Sequence, residues 1–348
     1  MKLKLFVCGD VMPGGVLPYQ KDCVSPRLAA FLRGFDCRIG TLEAAIGTAE
    51  YPYDPVKMAG RCNIVYARDT DLARICELGF DVVSLANNHV MDLGPEGLRN
   101  TLQQLDARGI LHCGAGMDAR EAARPVIWEK EGLRVAIFAY CMHDGPYLGH
   151  VVTAGEKTPG VNPLILDRAV QEIREAKKQY DRVVVLPHWG QEYRYTPVWR
   201  CVELACALIR SGADAVLGSH THRIQPVVWH HRRPVCFSMG NFLFPDFFLQ
   251  PPRPIWYPGP DVDLETIPDV VGYPYPVESP VRSVWPAASR YGRVACLELH
   301  SSKFRMSWQH VHASRDNILD LCSLPPKMRK QLHKLSLKLK LLMIRHRL

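Results

Sequence analysis

Residues 215–227 read AVLGSHTHRIQPV, and the break at Ser219 decides how the whole chain is read. Ala215, Val216 and Leu217 have strand character, and Gly218 and Ser219 end the run. Two histidines follow at once, His220 and His222, with only Thr221 between them. In open α/β sheets, ligands bind just beyond the carboxyl ends of the strands. The stretch therefore predicts an α/β fold with a polar site along a sheet edge.

The same arrangement recurs through the chain. Asp10 follows LFVCG, Glu43 ends CRIGTLE, Asn87, Asn88 and His89 follow VVSLA, and His188 follows VVVLP. Helical patterns alternate with these strands, as in SPRLAAFLRGF, DTDLARICELG, GPEGLRNTLQQLDARG, LDRAVQEIREAKKQY and PVWRCVELACALIRSG. Asp69 and Asp71 are candidate caps for the second of these, and Pro95 suits the first turn of the third. PVVWHH and PVCFSMGNF flank Arg232 and Arg233 as one hairpin, and RVACLELH with FRMSWQHVH reads as another.

If these strands lie in one sheet, their polar side chains emerge along the same edge, and three histidines, two carboxylates and an amide converge without a thiolate. That donor set suits a borderline or hard divalent ion such as Mn, Fe, Co or Zn. Taken singly, each residue has a plainer explanation: a hydrogen-bonded structural histidine, an aspartate shaping the Gly-rich GDVMPGG turn, a glutamate in an ordinary salt bridge, an asparagine cap or left-handed turn residue. Their coincidence at successive strand ends favours the site.

The 348 residues are 47% hydrophobic and 22% charged, the composition of a globular chain able to bury a full core. One main domain is expected. No apolar run reaches the ~20 residues of a membrane span, and MKLKLFVCGDVMPGG reads as a strand rather than a signal peptide. The expectation is a cytoplasmic protein. Twelve cysteines without a C-x-x-C pair, among them Cys8, Cys113, Cys141, Cys236 and Cys296 in apolar runs, read as buried thiols rather than disulfides.

From Pro245 to Pro286 lie 11 of the 27 prolines, interleaved with Trp256, Tyr257, Tyr273, Tyr275 and Trp285. This composition predicts a long surface loop or lid over 245–292. Trp256, Tyr257 and Arg253 are candidates for a substrate-facing wall, against the alternative of a packed excursion without a ligand.

The net charge of +8 equals the eight bases that follow Asp320, the last acid in the chain. Leu332, Leu335, Leu339 and Leu342 fall at helical spacing among them. Residues 316–348 thus read as a basic amphipathic tail, suited either to an anionic membrane surface through 327–348 or to docking on the domain. LSLKLKLL also alternates like a strand. Nucleic acid is disfavoured as a partner, because the rest of the chain is neutral and shows no recognised binding module.

GDVM with Asp10, TLEAAI with Glu43, ANNHVMDLG with Asn88, His89 and Asp92, HWGQEY with His188 and Glu192, GSHTH, and SMGNFLF with Asn241 together resemble the bacterial capsule synthesis protein CapA family over residues 5–245. The resemblance implies a calcineurin-like metallophosphoesterase fold, a four-layer α-β-β-α sandwich with mixed sheets, in a domain covering 1–315. It implies one or two divalent ions (Mn, Fe or Zn), with Asp10 and His222 on one, Asn88, His188 and His220 on the other, and Glu43 bridging. His89 would be the general acid, oriented by Asp92. The sequence departs from the superfamily at Met12, where a ligand histidine is usual, and at Ser219.

The function implied is a metal-dependent phosphoesterase using an activated hydroxide, linked to capsule or poly-γ-glutamate synthesis and acting on a small-molecule or polymer substrate. Two alternatives stand beside it. One is a non-catalytic or weakly active component of a polymer-synthesis complex, and the other is a γ-glutamyl amide hydrolase.

Overall fold

A computed structural model describes residues 2–48, 64–143, 151–251, 253–272, 277–300 and 303–348, and two mixed sheets flanked by helices form its frame. Strands β1 (Leu3–Val11), β2 (Cys37–Leu42), β3 (Val82–Ser84) and β4 (Leu111–Cys113) run parallel in the first sheet. The second sheet holds β5 (Val126–Lys130), β6 (Leu133–Cys141), β7 (Arg182–His188), β8 (Ala215–Leu217), β9 (Val227–His230) and β10 (Arg233–Cys236), with β6, β7, β8 and β10 parallel. The chain then returns to the first sheet. There β11 (Tyr291–Leu299), β12 (Phe304–Ala313) and β13 (Leu319–Cys322) add antiparallel strands beyond β1.

Alternation along the strands sets the layers. On β6, Val135, Ile137 and Ala139 join one hydrophobic cluster with residues of the first sheet such as Val7, Ile39 and Val83, while Ala136, Phe138 and Tyr140 face a second cluster. On β7, Val184 and Leu186 go to the first cluster and Val183 and Val185 to the second. The period of two in the side-chain directions is thus read out as two buried faces.

Helices complete the stack. Those after the first-sheet strands, α1 (Pro26–Leu32), α2 (Ala73–Glu77) and α3 (Gly94–Asp106), bury Leu28, Leu32, Ile75, Leu98, Leu102 and Leu105 in the first cluster. The short α4 (Ala119–Ala123) precedes β5. In the second cluster, α5 (Leu166–Gln179) and α6 (Trp199–Ser211) present Ile173, Val202, Leu204, Leu208 and Ile209 to the second sheet. Each such side chain contributes roughly 1.5–3 kcal/mol of burial. The order is helix, sheet, sheet, helix, the sandwich expected.

Local signals act as the sequence suggests at several ends. Ser25 caps α1, accepting the Leu28 N–H at 3.0 Å, with Pro26 in the first turn. His231 and Arg232, both at positive φ, make the tight turn between β9 and β10. Arg68 rather than Asp69 precedes the helical turn at Asp69–Leu72; the Asp71 carboxylate accepts the Arg68 N–H at 2.9 Å. Cys8, Cys113, Cys141, Cys236 and Cys296 are buried and free.

The segment from Pro245 is not the open loop expected. Phe247–Gln250, Arg253–Trp256, Asp269–Val271 and Val281–Val284 form a four-stranded sheet. Short strands tolerate prolines at their ends and edges. Phe247, Leu249, Ile255 and Trp285 pack with Met12, Ala44 and Tyr66 as a third core. Tyr257 donates its hydroxyl to the Tyr66 carbonyl at 2.9 Å and lies under the Arg68 guanidinium, so it belongs to packing rather than to a substrate wall. Trp256 lies 6.5 Å from the Phe248 ring, while the Arg253 side chain, Tyr273 and Tyr275 fall outside the described part.

The expected boundary before residue 316 also moves. Leu319–Cys322 is an edge strand of the first sheet, and only α7 (Pro326–Arg345) lies beyond it. No helix among the described residues is long and apolar enough to cross a membrane.

The sheets are joined where β1 meets the chain after β10. Asp10 N–H donates to the Gly240 carbonyl at 3.2 Å and Phe242 N–H to the Asp10 carbonyl at 2.9 Å. A Cβ on Gly9 would stand 1.9 Å from the Gly240 oxygen. Gly9→Ala should therefore lower stability by at least about 1–3 kcal/mol, the usual cost of overpacking, and a urea midpoint equal to wild type would show that this crossing is not tight.

Candidate metal centre

Because the central strands of each sheet are parallel, their carboxyl ends share an edge, and the polar residues after them meet there. Asp10 comes from β1, Glu43 from the turn after β2, Asn88 from the turn after β3, His188 from the end of β7, and His220 and His222 from the turn after β8. The structure brings all six together. Ligand atoms of Glu43, His188 and His220 lie within 4.8 Å of one another, as do those of Asp10, Glu43 and His222. Glu43 is common to both groups.

The distances show two half-sites. His188 Nε2 lies 2.7 Å from Asn88 Oδ1 and 3.4 Å from Glu43 Oε1. His222 Nε2 lies 3.9 Å from the same Glu43 oxygen, and its Nδ1 is 3.8 Å from Asp10 Oδ2. The His220 N–H donates to both Asp10 oxygens, at 3.1 and 3.3 Å.

Electrostatics makes this cluster unusual. Asp10 and Glu43 are both 0% exposed, and among the described residues neither pairs with a lysine or arginine. Both Glu43 oxygens are buried without a hydrogen-bond donor. Two carboxylates in such a place repel each other and lose hydration, so burial pushes the Asp10 carboxyl up to about 7 and Glu43 well above its usual range. The same burial holds His188 well below the ordinary imidazole range and His222 down to about 3. Burial thus favours the neutral form of His188 and His222, the form that ligates metals, and leaves the two carboxylates without a basic side chain among the described residues. The donor chemistry fits one or two divalent ions.

Backbone conformation enforces the arrangement. His220 and His222 stand at φ 91° and 49°, a region that costs a side-chain-bearing residue about 1–3 kcal/mol. Gly218 cannot be larger, since a Cβ there would fall 2.2 Å from the Phe237 carbonyl oxygen. Ser219, which departs from the usual pattern, orients a ligand: its Oγ lies 3.0 Å from His188 Nδ1 and accepts from Thr41 Oγ1 at 3.3 Å. That contact leaves Nε2 directed at Asn88 and Glu43.

Met12 occupies no ligand position. It is fully buried in the third core, where its sulfur accepts the Gly14 N–H at 3.1 Å. The group of Asp10, Glu43 and His222 therefore holds a single imidazole. Asn241 Oδ1, 2.8 Å from His222 Nδ1, partners that ring instead.

At the margin of the cluster, His89 is partly exposed, and its Nδ1 lies 2.7 Å from Asp92 Oδ2. Asp92 is buried and also accepts the Val65 N–H at 2.8 Å, which fixes the carboxylate and leaves His89 Nε2 available. Asn87 is structural. Its side chain accepts the His89 and Val90 N–H groups and donates to the Leu42 carbonyl.

Sequence reasoning gave no role to several neighbours. His222 is walled by Trp285 at 4.8 Å, Phe244 at 5.3 Å and Tyr193 at 6.0 Å between ring centres. Arg223 is buried behind it; its guanidinium lies 5.5 and 5.7 Å from the Tyr193 and Tyr195 rings and donates to Ser289 Oγ. Its Nε has no hydrogen-bond partner. Glu192 is largely shielded, and burial raises its carboxyl. Arg223 follows His222 directly, and Glu192 and Tyr193 lie in HWGQEY, but no local pattern marks their placement; Phe244 and Trp285 arrive from distant segments.

A family model described as bacterial capsule synthesis protein PGA_cap matches residues 4–246. The PGA biosynthesis protein CapA of Bacillus subtilis is 34% identical over 169 residues, covering 48% of this chain and 43% of that protein. The capsule biosynthesis protein CapA of Bacillus anthracis is 29% identical over 252 residues, covering 70% and 60%. The chain thus spans about half the length of the curated relatives it matches. Among solved structures, the Thermus thermophilus sulfate thiohydrolase SoxB in complex with glycerol aligns at 13% identity and a TM-score of 0.45, covering 88% of this chain and 56% of that one.

Elemental analysis of protein purified without chelator should find Mn, Fe or Zn, and the His188→Ala, His220→Ala double variant should lose most of it. Uptake should also depend on pH. Asp10 titrates at about 7 in the absence of a cation, and binding requires its carboxylate, so affinity is present above that pH and lost as pH falls through it. Uptake that is flat between pH 8 and pH 5, by calorimetry at each of those roughly spaced values, would remove Asp10 from the ligand set.

Proposed function

The chain belongs to the bacterial capsule synthesis protein family, and we propose that it acts there as a metal-dependent hydrolase of a phosphoester. The observation that carries the proposal is the pair of buried carboxylates, Asp10 and Glu43, lacking a basic partner among the described residues and ringed by neutral imidazoles. Asp10 and His222 would hold one ion, Asn88, His188 and His220 the other, with Glu43 shared between them. When bound, such ions activate water and neutralise phosphate charge.

The chain's own residues complete the chemistry. His89, with Nδ1 held by Asp92, keeps Nε2 turned outward and delivers a proton from it to the leaving group. Asp92 stabilises the protonated ring and fixes its tautomer. Arg223, buried without a carboxylate partner among the described ion pairs, offers positive charge for an anionic group of the substrate, and Tyr193 and Trp285 exclude water beside it. A link to capsule or poly-γ-glutamate synthesis follows from the family alone.

One observation favours a second reading. Met12 packs into the third core and leaves the Asp10 half-site short of a ligand, which suits a weakly active or non-catalytic component of a polymer-synthesis complex. The substrate screen separates the two. Manganese-loaded protein is offered aryl and alkyl phosphoesters alongside a γ-glutamyl anilide. Phosphoester turnover supports the hydrolase, anilide turnover alone moves the activity to γ-glutamyl amides, and no turnover in fully loaded protein favours the scaffold.

His89→Gln should lower kcat by about 10²–10⁴ on an alkyl phosphoester and much less on a p-nitrophenyl ester, whose leaving group needs no proton. Equal losses on both would deny His89 the role of acid. Arg223→Met should raise KM about tenfold or more with metal content unchanged, since one charge-assisted hydrogen bond is worth roughly 1.5–3 kcal/mol.

A further inference from the structure

Helix α7 carries apolar residues on two faces. Leu332, Leu339 and Met343 are buried, the first against Ile224 and Leu324, the other two in the cluster with Val228, Val235 and the α5 and α6 side chains. The His346 ring lies 4.8 Å from that of Trp199 and pins the far end. These contacts satisfy the docking expectation.

They do not account for Leu337, Leu341 and Ile344, which are 49%, 69% and 73% exposed. At about 100° per residue, these three fall within roughly 60° of one another and nearly opposite the docked stripe. Lys330, Lys334, Lys338 and Arg345 lie on or along one side of this second stripe, and Arg329 and Lys340 along the other. All of these basic residues are exposed, and the helix contains no acid.

We propose that this outer face of α7 binds an anionic lipid surface. An aliphatic ridge flanked on both sides by lysine and arginine is the pattern of a helix lying in the plane of a bilayer interface, with ridge residues among the acyl chains and bases on the headgroups. The 20 residues of α7 give about 30 Å of such contact. A second copy of the chain would set like charges against each other. An acidic soluble polymer would satisfy the bases and leave the three aliphatic side chains in water. An anionic membrane answers both features, and it would hold the domain at a surface through α7.

The test is co-sedimentation of the full chain with vesicles of phosphatidylcholine alone and with about one-third phosphatidylglycerol. Wild type should partition at least tenfold more strongly to the anionic vesicles, with binding weakened by salt. The Leu337→Ser, Leu341→Ser, Ile344→Ser variant changes only exposed positions; with an unchanged melting transition, it should lose most of that binding. The Lys334→Glu, Lys338→Glu, Lys340→Glu variant should lose the preference for anionic lipid. Undiminished binding by the serine variant, or equal binding to neutral vesicles, overturns the proposal. So does tight binding to soluble polyglutamate with none to vesicles. None of these readouts involves metal or turnover, so they stand apart from the hydrolase reading.

Discussion

Two carboxylates buried together, with no basic side chain beside them among the described residues, are the constraint on which this structure turns. Asp10 and Glu43 lie at the ends of neighbouring parallel strands, wholly removed from water. An uncompensated charge in such a place is expensive, and a folded protein meets that expense by protonation, by a partner or by a bound cation. The surrounding groups are compatible with the last of these. Three imidazoles approach from the second sheet, two of them held by burial in the neutral form, and the His220 N–H is directed at Asp10.

Much of the remaining architecture follows from bringing those groups close. The two sheets must meet at their carboxyl edges, which Gly9 and Gly240 permit by letting backbones cross without side chains between them. The GSHTH turn must reverse sharply enough to aim both histidines inward, hence two non-glycine residues at positive φ. Strain of this kind persists only where the neighbouring structure over-determines it. Here Gly218 lies against the Phe237 carbonyl, and Asn241 and Ser219 hold the rings of His222 and His188.

The periphery divides the labour. His89 and Asp92 form a hydrogen-bonded pair beside the buried cluster, whereas Arg223, Tyr193 and Trp285 wall the side of His222 with charge and aromatic surface. The Pro-rich segment contributes Trp285 to that wall and otherwise builds a core around Met12. Residue 12 thus serves packing, while Asp10, Glu43 and His222 stand together apart from it.

The sequence by itself determined the strand–helix alternation, the strands' ends and the identity of the polar residues there, because a period of two, a Gly or Ser break and a chemically distinct side chain are all local signals. The strand-end pattern gathered Asp10, Glu43, Asn87, Asn88, His89, His188, His220 and His222, the family resemblance picked six of them as ligands, and the structure shows that their strands belong to two sheets rather than one. Tertiary structure alone decided what local pattern cannot encode. Proline content concealed a sheet whose strands are short enough to keep prolines at their margins. Arg223 gave no signal because its meaning lies in the absence of an acid nearby, which is a property of space rather than of spacing. The leucines of α7 are equivalent in sequence, and only the position of the domain separates those that dock from those that face outward. Hydrophobic periodicity tells which residues can be buried, and the surface available to receive them determines which are.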